Sequence, residues 1–136
     1  MGLIGRLLSS WYTGKGFSKF SNQKWEEAAA LFEKAIKFDP NSGKVELTYS
    51  CLGRCYLALN RTSEAKRNLS TAYNLYQENI SSSLANRFEK QEYKELLKAY
   101  GNVLQKVGEF DLAQEMARKA EEIPIKGVVP GEGKIG

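Results

Sequence analysis

The sequence predicts an all-α chain made of three helix-turn-helix units. Apolar residues recur at steps of three and four along most of its length, the period of a single helical face. A pattern of Ala, a residue four further on, and Ala three beyond that occurs three times: Ala28, Phe32, Ala35; Ala65, Leu69, Ala72; and Ala113, Ala117, Ala120. A Gly stands 12 residues before the first Ala of each set, at Gly16, Gly53 and Gly101. Each of these Gly residues lies inside another apolar helical pattern, where Gly costs about 1 kcal/mol relative to Ala. Close approach of a paired helix is the expected compensation, so each unit reads as a helix with a central Gly, a short turn, and a helix with an Ala-rich face.

The elements follow in order. Leu3, Ile4, Leu7, Leu8 and Trp11 form an apolar face beside Arg6 over residues 1–8 and onward. Two readings of this N-terminal amphipathic extension stand: it packs on or covers the edge of the array, or it attaches to an anionic membrane surface or a partner helix. The first helix then leads through Gly16 to a turn near Asn22. In the second helix Trp25, Ala28, Ala29, Phe32, Ala35 and Ile36 share a face, with Glu26, Glu27, Glu33, Lys34 and Lys37 mostly opposite, and Pro40 lies just beyond its end. Asn41-Ser42-Gly43 makes the next connection. Leu52-Gly53-Arg54-Cys55-Tyr56 marks the third helix, a turn near Asn60 follows, and the fourth carries its apolar steps on through Tyr73, Tyr76 and Ile80. The steps resume at Leu84, Phe88, Leu97 and Tyr100, with a Ser in Ser81-Ser82-Ser83 as the expected helix cap. After a turn near Gly108, the last helix sets Gln114, Glu115, Arg118, Lys119, Glu121 and Glu122 against Ala113, Met116, Ala117 and Ala120, giving the array a polar end. Residues 124–136 are Gly- and Pro-rich and read as a flexible tail, with docking of Val128 and Val129 as the alternative.

On these residues the chain resembles the tetratricopeptide repeat (TPR) family. Leu52, Gly53 and Tyr56 match the family's first-helix pattern, and Ala28, Phe32, Ala35 and Pro40 its second-helix pattern. Tyr100, Gly101, Leu104, Ala113, Ala117 and Ala120 match in the third unit. The units fall at about 9–42, 46–79 and 94–123, with residues 80–93 inserted. The family repeat is about 34 residues, whereas Gly16 to Gly53 is 37 and Gly53 to Gly101 is 48. The larger excess is shared between two helices, predicting an elongated hairpin between units two and three. The resemblance implies a right-handed superhelix whose concave groove, lined by the first helix of each unit, binds a peptide or partner helix. Groove positions carried over from the family are Thr13, Phe17 and Phe20; Ser50, Arg54 and Leu57; and Lys98, Asn102 and Gln105. The groove should be apolar towards the N-terminus and basic towards the third unit, with Arg54 and Lys98 as anion contacts. In the family members that grip acidic chaperone tails a carboxylate clamp occupies the positions of Thr13, Phe17, Arg54, Lys98 and Asn102, and only Lys98 matches it.

Composition narrows the function further. At 136 residues, 42% hydrophobic and 26% charged, the chain supports about one folded domain. Arg6, Lys15, Lys19 and Lys24 precede the first acidic residue, Glu26, and the other 16 basic residues match 16 acidic ones. The basicity belongs to the N-terminus, so no nucleic-acid partner is expected. There is no His, which removes the commonest general base, and Cys51 and Cys55 read as small buried residues rather than metal ligands. No enzyme activity, no cofactor and no metal is expected. The chain reads as a cytoplasmic protein-binding adaptor or scaffold. The alternatives are a peripheral membrane-associated assembly factor held through residues 1–12, and a homodimer formed through a hairpin rich in Tyr around Tyr73, Tyr76, Phe88 and Tyr93.

Overall fold

The computed structural model describes residues 2–80 and 84–124. Among these residues there are six α-helices and no strand: α1 (Leu3–Ser21), α2 (Trp25–Phe38), α3 (Val45–Ala58), α4 (Thr62–Glu78), α5 (Arg87–Lys106) and α6 (Phe110–Glu121). They pair as α1 with α2, α3 with α4, and α5 with α6, while α2 meets α3 and α4 meets α5. Helix α3 also touches both α1 and α5, so the first helices of the three units stand side by side.

Each pair is drawn together at its Gly. A Cβ added to Gly16 would lie 2.7 Å from Cε1 of Phe32, and one added to Gly53 would lie 2.5 Å from Cγ of Leu69. Those distances are far inside van der Waals contact, so the absent side chain is what lets Phe32 and Leu69 reach the facing backbone. Both are fully buried between flanking Ala residues. The third unit departs from this arrangement. Ala117 holds the position of Phe32 and Leu69, and a Cβ on Gly101 would sit at ordinary contact distance, 3.4 Å from Ala113 O, 3.5 Å from Met116 Cβ and 4.0 Å from Ala117 N. A groove of about 490 Å³ remains open there, lined by Leu97, Gly101, Ala113, Ala117 and Ala120. The outer face of α6 is polar as expected, with Gln114, Glu115, Arg118, Glu121 and Glu122 exposed, but on its inner side Ala117 is too short to cover the seam.

The turns inside the units share one set of hydrogen bonds. Gln23, Asn60 and Gly108, each seven residues past the unit's Gly, have φ of 60°, 62° and 85°. Their N–H groups donate to Phe20, Leu57 and Gln105 carbonyls. The following N–H groups, of Lys24, Arg61 and Glu109, donate five residues back to Lys19, Tyr56 and Leu104 at 2.8–2.9 Å. This is the Schellman arrangement of a helix C-terminus, which needs a left-handed residue at that one position. The turn expected near Asn22 falls at Asn22–Gln23, with Gln23 carrying the positive φ in unit one.

The insertion lengthens helices, as expected, but its cap is different. Helix α4 has 17 residues and α5 has 20, against 14 each in α2 and α3. Asn86 caps α5, its side-chain oxygen accepting from Glu89 N–H at 2.8 Å; the Ser residues at 81–83 lie outside the described residues. The hairpin's Tyr residues point inward. Tyr76 and Tyr93 are buried against each other, with ring centroids 4.9 Å apart, and Tyr73 packs on Tyr100 at 5.6 Å. Gln77 donates to Tyr93 Oη and Lys119 to Tyr73 Oη. These rings join α4 to α5 within the chain, and Phe88 alone of the four hairpin aromatics is exposed. The N-terminal extension is continuous with the first helix, since α1 runs through residue 8. Residues 125–136 of the expected tail lie outside the described residues.

Two substitutions separate packing from helix propensity. Gly53→Ala should destabilise the domain by about 1–3 kcal/mol in urea unfolding through overpacking against Leu69, whereas Gly101→Ala should stabilise it by roughly 0.5–1 kcal/mol. Equal effects at both positions would contradict the interlock. In the first turn Gln23→Gly should raise stability by about 1 kcal/mol, by removing a left-handed conformation that costs a non-Gly residue this much.

Candidate partner-binding site

The face shared by α1, α3 and α5 contains a hollow of about 460 Å³ to which all three units contribute. Its aromatic wall comes from the first turn: Phe20 ends the inner face of α1 and Trp25 opens α2. Their rings meet edge to face at 5.3 Å and 75°. The Schellman turn between them holds both rings in place, and Phe20 also leans on buried Phe32. Helix α3 supplies Arg54, Leu57 and Ala58, and α5 supplies Glu95, Lys98, Ala99, Asn102 and Lys106.

Arg54 is held at the centre of this floor. Its guanidinium lies 4.9 Å from the centroid of the Phe20 ring and its Nη1 is 3.2 Å from Oε1 of Glu92. Both partners of this pair are only about one-fifth exposed. Lys98 is 59% exposed and 3.9 Å from Glu95, so its charge faces solvent. Lys106 lies on the same side, about two turns further along α5, and has no ion-pair partner among the described residues.

Residues 19–82 match the family model described as a tetratricopeptide repeat. Those residues form a tetratricopeptide repeat segment. No curated protein matches it. The matched span runs from the end of α1 through α4. The pair α5–α6 lies beyond it but repeats the same turn and hydrogen bonds. TPR domains act in general as protein–protein interaction modules.

The TPR offsets place some of the expected groove residues well and misplace others. Phe20, Arg54, Leu57, Lys98 and Asn102 come together in the one hollow. Thr13 and Phe17 instead line a neighbouring hollow of about 370 Å³ with Ser9, Asp39, Lys44 and Thr48, and the Thr13 hydroxyl is already donated to Ser9 O at 2.8 Å. Gln105 opens onto the end groove between α5 and α6, which Lys98 and Asn102 also border. Ser50 is a correction: it is fully buried in α3, a helix enclosed by α1, α2, α4 and α5, and no ligand can reach it. Arg54 is a partial one, because Glu92 already answers its charge. Sequence reasoning missed Trp25, Glu95 and Lys106. Trp25 was legible as an inner-face residue, but its place beside the turn opens it towards Phe20 and the hollow.

The thiols offer no reactive group. Cys51 and Cys55 are free and buried in α3. Burial pushes each pKa from 9.0 up to about 12, and the smaller opposing pull of Arg54 does not offset it. Among the described residues no group of three or more Cys, Asp or Glu side chains is placed to hold a metal ion.

A raised thiol pKa fixes a direction for the pH dependence. The folded state disfavours the thiolate, so this contribution is complete below about pH 9 and is lost as pH rises towards 12. Alkylation by iodoacetamide at pH 8 should be at least roughly 10³-fold slower in the native protein than in urea, from the ionisation difference alone. Equal rates would show that α3 does not shield its thiols.

Proposed function

We propose that this chain is a non-catalytic adaptor that holds an extended peptide or partner helix against the face of α1, α3 and α5. The observation that carries the reading is the single hollow to which the three repeat units contribute an aromatic wall and two solvent-facing cations. An aromatic or aliphatic side chain of the ligand would settle against Phe20, Trp25 and Leu57, where most binding energy is expected from a buried anchor. Acidic groups flanking that anchor would meet Lys98 and Lys106, which set orientation and encounter rate more than raw affinity. Arg54 serves as floor rather than as ligand contact, since recruiting it would mean breaking its bond to Glu92. The two unpaired thiols suit a reducing, cytoplasmic setting.

The test is selection of binders from a random-peptide library with the parent protein. Selected peptides should share an apolar anchor beside Asp or Glu, and Lys98→Glu with Lys106→Glu should weaken them by about tenfold or more, at unchanged helicity. Arg54 is left intact because its reversal would place two carboxylates together in the floor. Peptides without acidic residues, or binding that survives the double reversal, would refute the charge assignment. Loss of the same peptides on Leu57→Asp alone would retain the hollow but not its basic rim.

A further inference from the structure

Helix α1 is apolar on two opposite sides. Its inner side is fixed to α2: Ser9 is buried and donates to Ala35 O at 2.8 Å, and Gly16 admits the Phe32 ring. Leu7 and Trp11 each stand two residues from Ser9, about 200° around a helix of 3.6 residues per turn, and so point directly away from the protein. With Leu3 and Ile4 they form an outward stripe in which the four residues are 63%, 73%, 61% and 55% exposed. Four large apolar side chains in sequence on one exposed face mark an interaction surface.

Cations border this stripe. Arg6 is exposed on one flank, and on the other Lys15 reaches over the Trp11 ring, its Nζ 5.1 Å from the centroid. From α2, Lys34 extends over the Tyr12 ring at 5.5 Å. No acidic residue occurs in the first 25 positions. On the Arg6 side, Asp39 lines the hollow between α1 and α3, which Arg6 also borders without an ion pair among the described residues. Among the described residues no helix is long and apolar enough to cross a membrane. A helix with outward apolar residues, an aromatic ring and flanking cations has instead the chemistry to lie in the plane of a lipid surface.

We propose that α1 docks this chain on an anionic lipid bilayer. Leu3, Ile4, Leu7 and Trp11 enter the boundary between headgroups and acyl chains, and Arg6, Lys15 and Lys34 meet lipid phosphates. A bilayer is favoured over a protein because it presents a plane of anions on both sides of the stripe, matching cations on both of its flanks. The hollow formed by α1, α3 and α5 lies on a different side of α1, so both surfaces can be occupied together.

The experiment is co-sedimentation of the full chain with phosphatidylcholine vesicles, with and without about one-third phosphatidylserine. The chain should pellet with the anionic vesicles and be released as salt is raised. Leu7→Glu with Trp11→Glu should weaken binding by at least about tenfold at unchanged circular dichroism. Arg6→Gln with Lys15→Gln should weaken it by roughly 30-fold, about 1 kcal/mol for each cation. In a Trp25→Phe background, Trp11 emission should shift to the blue on binding, a readout independent of pelleting. Failure to pellet with anionic vesicles overturns the proposal, as does equal binding to neutral ones. A dimer seen by light scattering and dissolved by Leu7→Glu would also overturn it, by assigning the stripe to a second copy of the chain.

Discussion

The structure depends on the close approach of two helices at a residue with no side chain. Gly16 and Gly53 let Phe32 and Leu69 press against the facing backbone, and this contact sets the distance and register of each pair. Register then determines the turn, because the residue seven past each Gly must take a positive φ for the helix to close and reverse. Once two pairs share that geometry, α3 lies between α1 and α5, and the first helices form one face. In the third pair Ala117 breaks the rule. The helices are still joined, through Met116 and Ala113, but the seam that Phe32 and Leu69 fill elsewhere is left as a groove.

Packing so constrained decides which side chains remain available. Ser50 and the two Cys residues are consumed by the enclosed helix α3, and Tyr73, Tyr76 and Tyr93 by the lengthened contact between α4 and α5. Arg54 is half consumed: stacked on Phe20 and bonded to Glu92, it ties the three units together more than it advertises a charge. The long α5 also crosses back to the second unit through the ion pair of Lys44 with Glu89, whose carboxyl is held below the usual carboxylate range by that lysine. What is left for recognition is an aromatic wall and the cations of α5 on one face, and the outward stripe of α1 on another.

Much of the fold was legible because it rests on small residues at fixed intervals. The spacing from Gly16 to Ala28, Gly53 to Ala65 and Gly101 to Ala113 reports helix pairing directly, and the excess length went into a longer connection between α2 and α3 and into the longer helices α4 and α5. Finer features depend on three-dimensional register. The turn near Asn22 was legible, but not that Gln23 takes the positive φ, which follows from its distance of seven residues from Gly16. Asn86 caps α5 in place of the expected Ser, because α5 begins later than its apolar pattern suggests. Family offsets located Phe20, Leu57, Lys98 and Asn102, but not the burial of Ser50, which follows from α3 having neighbours on every side. The Arg54–Glu92 bond joins residues 38 apart across the insertion. No local pattern could have announced it.

The account's central claim is that binding falls on the face made by the first helix of each unit. Amide hydrogen exchange of the chain, alone and with a saturating selected peptide, measures this most directly. Added protection should cluster at the C-terminal half of α1, around Arg54 and Leu57 in α3, and from Glu95 to Lys106 in α5, leaving α2 beyond Trp25 and all of α4 unchanged. Protection confined to α4, α6 or the outer stripe of α1 would contradict the claim and move recognition to another surface.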